Sequence, residues 1–258
     1  MIEADALTKL YDKFVAVDGL SLTVRAGEVL GLVGQNGAGK TTTLRCLAGI
    51  IPPTSGAVRL GGHDLKAEPI AAKRELAFFS DEPRLFDYLT VEQHLAFVSR
   101  IYGVADWRER SGPLLEELEM ADKTGLLPAE LSRGMKQKLA IACGLIHSPR
   151  VILFDEPLTG LDPIGIRRMK ATIRRRASEG ASIIISSHLL PLLEEVCSHV
   201  LILHGGHKVA GGTMEEIVRQ FHDPQAAGAP PDLEEIFFRA VGEGKTASAA
   251  PAETPAQP

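Results

Sequence analysis

The chain has 258 residues, 45% of them hydrophobic and 24% charged, an ordinary globular balance that supports a full core without covalent staples. Its net charge of −5 argues against a general attraction to nucleic acid, so no nucleic-acid partner is expected. Cys46, Cys143 and Cys197 are odd in number and widely spaced, which argues against a zinc or disulfide framework and fits three small core residues in a reducing compartment.

The opening stretch "MIEADALTKLY" lacks a basic start running into an apolar segment, so no signal peptide is expected. Apolar runs such as "VILF" and "SIII" fall far short of the roughly 18 residues that span a bilayer. A cytosolic chain that does not itself cross a membrane is expected. In the first sixty residues "VDGLSLTV" and "SGAVRLGG" read as strands closed by turns, with "EVLGLVG" between them as a buried strand ending in a Gly-rich turn. "KTTTLRCLAGI" then reads as a helix stopped by Gly49 and the two prolines that follow.

Thr90 and Gln93 form a capping box ahead of a helix over 90–102 with Val91, Leu95, Val98 and Tyr102 on one face. Residues 106–130 read as charged helical pieces broken at Gly112-Pro113 and at Pro128. Ser132 precedes apolar positions at Met135, Leu139, Ala142 and Ile146, a helical face with Ser132 as its N-cap. "VILFD" and "SIIIS" are β-branched apolar runs separated by a helix, the pattern of a parallel sheet. "HVLILHGGHKVAG" predicts a hairpin turning at Gly205-Gly206. Helices "MEEIVRQF" and "LEEIFFRAV" follow across a Pro/Ala/Gly loop, and the final residues are low-complexity. The expected organisation is a main unit over 1–215 with a helical insert at about 84–148, a helical extension over 216–242, and a disordered tail over 243–258.

"GQNGAGKTT" at 34–42 fits G-x-x-x-x-G-K-[ST] and lies between a strand and a helix, where a phosphate loop must lie. Gly34, Gly37 and Gly39 let the backbone turn its N–H groups inward on a β-phosphate. Lys40 then reaches the β- and γ-oxygens, and Thr41 offers a hydroxyl to Mg²⁺. Asp155 and Glu156 end an apolar strand on the side where open α/β sheets bind ligands. Asp155 reads as a Mg²⁺ partner and Glu156 as the group that polarises an attacking water; solvated turn residues are the alternative. His188 could reach the same γ-phosphate from the next strand, or be purely structural.

In this order and spacing, "GQNGAGKTT", "LSRGMKQKL", "VILFDEP", "TGLDP" and "SSHLL" resemble the nucleotide-binding subunit of an ATP-binding cassette transporter, over roughly residues 1–215. The closest likeness is to bacterial single-domain subunits that pair with a separate multi-helix permease, often exporters. The resemblance implies an α/β fold: a P-loop NTPase core with a mostly parallel sheet, an N-terminal antiparallel β subdomain and the helical insert. It implies ATP and Mg²⁺ as ligands, with the nucleotide on Tyr11, Gly34, Asn36, Gly37, Ala38, Gly39, Lys40, Thr41 and Thr42. It also implies Glu156 as base, His188 as γ-phosphate sensor and Asp162 in an inter-subunit loop. Two copies, or two closely related subunits, would dock head to tail on the cytoplasmic face of the membrane, Ser132 and Gly134 of one meeting the γ-phosphate held by the other's Lys40. A soluble cassette ATPase acting on a cytosolic assembly without a permease is the alternative.

Three positions depart from the family pattern. Arg133 and Met135 stand where the signature commonly has glycine and glutamine, and Asp81 in "LAFFSDEPRLF" stands where a glutamine usually senses Mg²⁺ and the permease. Asp81 is therefore a candidate metal partner. The basic run "RRMKATIRRR" lacks interleaved aromatics and reads as a solvated helix face. His199, His204 and His207 flank the hairpin without a shared face and read as exposed, and Phe237 and Phe238 read as a docking stripe.

Overall fold

The computed structural model describes residues 1–157, 162–222 and 230–247, the last five of these as backbone only. An antiparallel sheet is built first, from β1 (Ile2–Tyr11), β2 (Phe14–Val24) and, after β3 (Val29–Val33) and α1 (Lys40–Leu47), from β4 (Ser55–Leu60) and the short β5 (His63–Asp64). Its strand order is β2-β1-β4-β5. After α2 (Pro69–Arg74) and β6 (Leu76–Phe79) come three helices of an insert: α3 (Val91–Tyr102), α4 (Trp107–Glu117) and α5 (Arg133–Leu145). The chain then returns as β7 (Val151–Asp155), α6 (Pro163–Ser178), β8 (Ser182–Ser186), α7 (Leu190–Val196), β9 (His199–His204) and β10 (His207–Thr213), and ends with α8 (Met214–Phe221) and α9 (Leu233–Ala247).

The second sheet has the order β10-β9-β3-β8-β7-β6, parallel except for the β9–β10 hairpin. Every residue of β3, β7 and β8 is buried, as a parallel sheet covered on both faces requires. The strand period of two divides those residues between two cores. Val29, Ile152, Phe154, Ile183 and Ile185 face the insert, α6, α7 and α9. Leu30, Leu32, Leu153 and Ile184 face the antiparallel sheet and α1.

Local signals hold where the capping chemistry is complete. Thr90 and Gln93 close the capping box of α3, and the Ser132 hydroxyl accepts from the Met135 N–H at 3.3 Å as N-cap of α5. A cap of this kind contributes about 1 kcal/mol.

Three expectations are corrected. Helix α4 runs unbroken through Gly112-Pro113: Pro113 is exposed, so water can serve the carbonyl it leaves unpaired, and the buried Leu114 and Leu115 hold the turn against the core. The basic run on α6 is not simply solvated. Arg168 pairs with Glu119, Lys170 with Glu195, and Arg175 and Arg176 with Glu117, tying α6 to the insert and to α7. Of the Phe237–Phe238 pair only Phe237 is buried, while Phe238 is 62% exposed.

Helix α9 passes the expected boundary at 242 and reaches Ala247. The remainder of the expected tail, 248–258, and the Pro/Ala/Gly loop at 223–229 lie outside the described residues.

Candidate active site

The loop after β3 is shaped by contacts that admit no side chain. A Cβ on Gly34 would lie 2.7 Å from the Leu203 carbonyl oxygen, and one on Gly39, at φ +103°, 2.5 Å from that of Ala16. Gly39 is also the N-cap of α1 and offers no side-chain acceptor. The first N–H groups of α1 are thus left for an anion. The Lys40 ammonium folds over this loop, donating to the carbonyls of Gly34 at 2.6 Å and Gln35 at 3.3 Å. Burial lowers its pKa, and the nearby Glu156 and Asp155 carboxylates pull the other way.

A cleft of about 380 Å³ opens above the loop, walled by Tyr11, Asn36, Lys40, Thr41, Asp81 and Glu156. Gly37, Gly39 and Thr42 also border it, while Ala38 is buried beneath, its carbonyl accepting from the Gly206 N–H at 3.2 Å. Tyr11 stands at the rim, 45% exposed, with Lys9 Nζ 5.1 Å from its ring centroid. Phe14, its cross-strand partner over the two-residue turn, also lines the cleft. Sequence reasoning missed Phe14, although two aromatics flanking a tight turn are a readable cross-strand pair.

The carboxylates are set by strand register. Asp155 and Ser186 are paired across β7 and β8, and Asp155 Oδ1 accepts from Ser186 Oγ at 2.7 Å and from Thr41 Oγ1 at 3.2 Å. A buried carboxylate beside a hydroxyl is a hard-oxygen set that fits Mg²⁺. Glu156 turns out of the sheet with φ +53°. Its N–H donates to the Ser186 carbonyl at 3.1 Å, and its Oε2 lies 2.8 Å from His188 Nδ1. Ser186 is a second residue missed from sequence; the signal was a polar side chain closing an apolar strand. Asp81 borders the cleft with its Oδ1 accepting from the Glu82 N–H at 2.9 Å.

Ser132, Gly134 and Asp162 do not wall this cleft. Ser132 and Gly134 begin α5. Asp162 caps α6, accepting from the Gly165 N–H at 2.6 Å; residues 159–161 of the "TGLDP" stretch, with Leu158 before them, lie outside the described residues.

A family model described as "ABC transporter" matches residues 17–159, more than half of the chain. The chain belongs to the ABC transporter family. The ATP-binding protein EcsA of Bacillus subtilis (strain 168) is 33% identical over 245 residues, 94% of this chain and 97% of that protein. The Nod factor export ATP-binding protein I of Paraburkholderia xenovorans (strain LB400) is 35% identical over 219 residues, 84% of this chain and 72% of its own. Among solved structures, an ATP binding subunit of an ABC transporter superposes with a TM-score of 0.87 at 33% identity, covering 93% of this chain and 99% of that one.

As an ABC ATPase the chain binds and hydrolyses ATP. Among the described residues no helix is long and apolar enough to cross a membrane. Cys46 and Cys197 are buried, and burial pushes their thiols up to about 11 and about 12, which leaves them as inert packing residues.

Proposed function

We propose that the chain is the ATP-hydrolysing motor subunit of a membrane exporter, working with a separate permease on the cytoplasmic face and closing head to tail on a second copy. The observation that carries this reading is the convergence at the ends of β7 and β8, where Asp155 meets Thr41 and Glu156 meets His188, Thr41 and Glu156 themselves lining the phosphate-loop cleft.

Tyr11 and Phe14 would take the adenine, and Lys40 would exchange the Gly34 and Gln35 carbonyls for the β- and γ-oxygens. Thr41 and Asp155 would hold Mg²⁺, with Asp81 at its edge, and the metal would neutralise charge on the transferring phosphoryl group. Glu156 is positioned to accept the proton of an attacking water. Its contact with His188 Nδ1 leaves Nε2 free for the γ-phosphate, a donor placed where charge develops.

The composite site is supported by the α5 N-terminus. Ser132, Gly134 and the first turn of that helix are donors that an anion would satisfy, and the γ-phosphate on a second copy is the anion this geometry fits. Asp162 would lie at the same junction. A permease is supported by Phe86, Tyr88, Phe97 and Ile101, which stand exposed together on and before α3, beside the strand that leads to Asp81. The export direction rests on likeness to a subunit whose name includes export.

Glu156→Gln keeps the side chain's reach but cannot accept the proton, so ATP should persist and hold two copies together. Size-exclusion with light scattering should show a dimer with ATP and Mg²⁺ and a monomer without. A monomer at saturating ATP and Mg²⁺ would overturn the composite site.

A further inference from the structure

We infer that the C-terminal helix α9 positions the hydrolytic histidine, and that it acts through Phe237. The inference rests on the role given above to His188.

The backbone leaves β8 at Ser186 and carries His188 into α7, a short helix whose N-cap, Leu189, supplies no side-chain acceptor. The His188 side chain is 58% exposed, and its hydrogen-bonding tie among the described residues is to Glu156. A single contact leaves an exposed imidazole free to swing, so its aim depends on what packs around the segment that bears it.

That packing comes from α9. Leu233, Ile236, Phe237, Ala240 and Val241 are buried, and the helix lies against α7, α8, β9 and β10. It is fastened at both neighbours: the Leu233 N–H donates to Glu194 Oε1 on α7, and Arg239 Nη1 donates to the Phe221 carbonyl of α8 at 2.6 Å. Phe237 reaches furthest toward the chemistry. It borders a cavity of about 250 Å³ that it shares with Val33, Asn36, Ser187, His188 and Leu190. One aromatic ring therefore lines the same cavity as the phosphate loop and the histidine, a cavity that Tyr11 does not border.

Removing this ring enlarges the cavity beside His188 and frees Leu190, the first residue of α7, to sink into it. Lys40, Thr41 and Tyr11 keep their contacts, so the loss falls on turnover and not on nucleotide affinity. Phe238, adjacent in sequence but turned to solvent, carries no such role.

The test is steady-state ATPase of the full chain carrying Phe237→Ala, Phe237→Leu, Phe238→Ala, His188→Ala, or Phe237→Ala with His188→Ala. Phe237→Ala should lower kcat roughly tenfold or more with KM for ATP unchanged, the signature of a misplaced group. Phe237→Leu should recover most of the rate, and Phe238→Ala should match the wild type. The double variant should be no slower than His188→Ala alone, because a residue acting through another has nothing left to act on. Thermal midpoints and ATP affinity verify folding; should Phe237→Ala not fold, Phe237→Leu carries the same comparison as a smaller loss. A wild-type kcat in folded Phe237→Ala, or losses that multiply in the double variant, would overturn the inference. A wild-type rate for His188→Ala would instead overturn the histidine's role, and this inference with it.

Discussion

A Cβ on Gly144 would stand 2.3 Å from Cε1 of Phe79. Helix α5 thus crosses β6 at a residue that leaves room for the ring, and the ring cannot retreat because it is stacked on Phe154, centroids 4.8 Å apart. The contact joins the helix that begins at Ser132 to the strand that leads to Asp81.

Gly144→Ala sets two effects against each other. Alanine favours a helix interior by about 1 kcal/mol, whereas overpacking a confined ring costs roughly 1–3 kcal/mol and more when neighbours cannot shift. The clash should win. Urea unfolding should give a lower midpoint, and a variant more stable than wild type would mean that α5 can slide off Phe79.

Lys40→Ala should cost ATP binding roughly 1.5–3 kcal/mol or more, the value of a charge-assisted contact. The free protein should lose little, since burial already opposes this ammonium's charge. Isothermal titration and thermal unfolding read the two halves separately. Near-wild-type affinity would remove the loop from the nucleotide site.

Asp81→Gln should lower the Mg²⁺ requirement of the ATPase, because the aspartate adds negative charge beside an anionic nucleotide that the metal must offset. Rates measured against free Mg²⁺ compare the two forms. Superimposable curves would mean that the carboxylate stays on the Glu82 N–H and away from the metal.

His147 gives a pH dependence with a definite sign. Its ring stacks on Tyr102 with centroids 3.7 Å apart, and both ring nitrogens are buried. Burial lowers its pKa from 6.5 to about 4, and the Leu76 backbone pulls the other way. Between those values the unfolded chain binds a proton that the folded chain refuses, so stability falls as pH drops through the window and is unaffected above it. His147→Phe should flatten that part of the stability curve in urea titrations; an unchanged slope between wild type and variant would show the ring to be accessible to protons.

What could be read in advance was local or periodic. The apolar runs of β3, β7 and β8, the Thr90 and Ser132 caps, the Gly205-Gly206 turn and the phosphate-loop spacing each declare themselves within a few residues. What could not be read depends on partners far along the chain. Pro113 stays helical because the core holds Leu114 and Leu115, and the arginines of α6 find acids that lie about fifty residues earlier on Glu117 and Glu119. Ser186 reaches Asp155 only once β7 and β8 are in register. Phe237 and Phe238 are separated by helical phase, which composition does not disclose.

The positive φ of Glu156 has an evolutionary consequence. A non-glycine residue held there strains the backbone by about 1–3 kcal/mol, and glycine would relieve it. Selection for heat resistance alone would discard this glutamate, so its presence marks a site where the chain forgoes stability to keep a carboxylate in reach of His188.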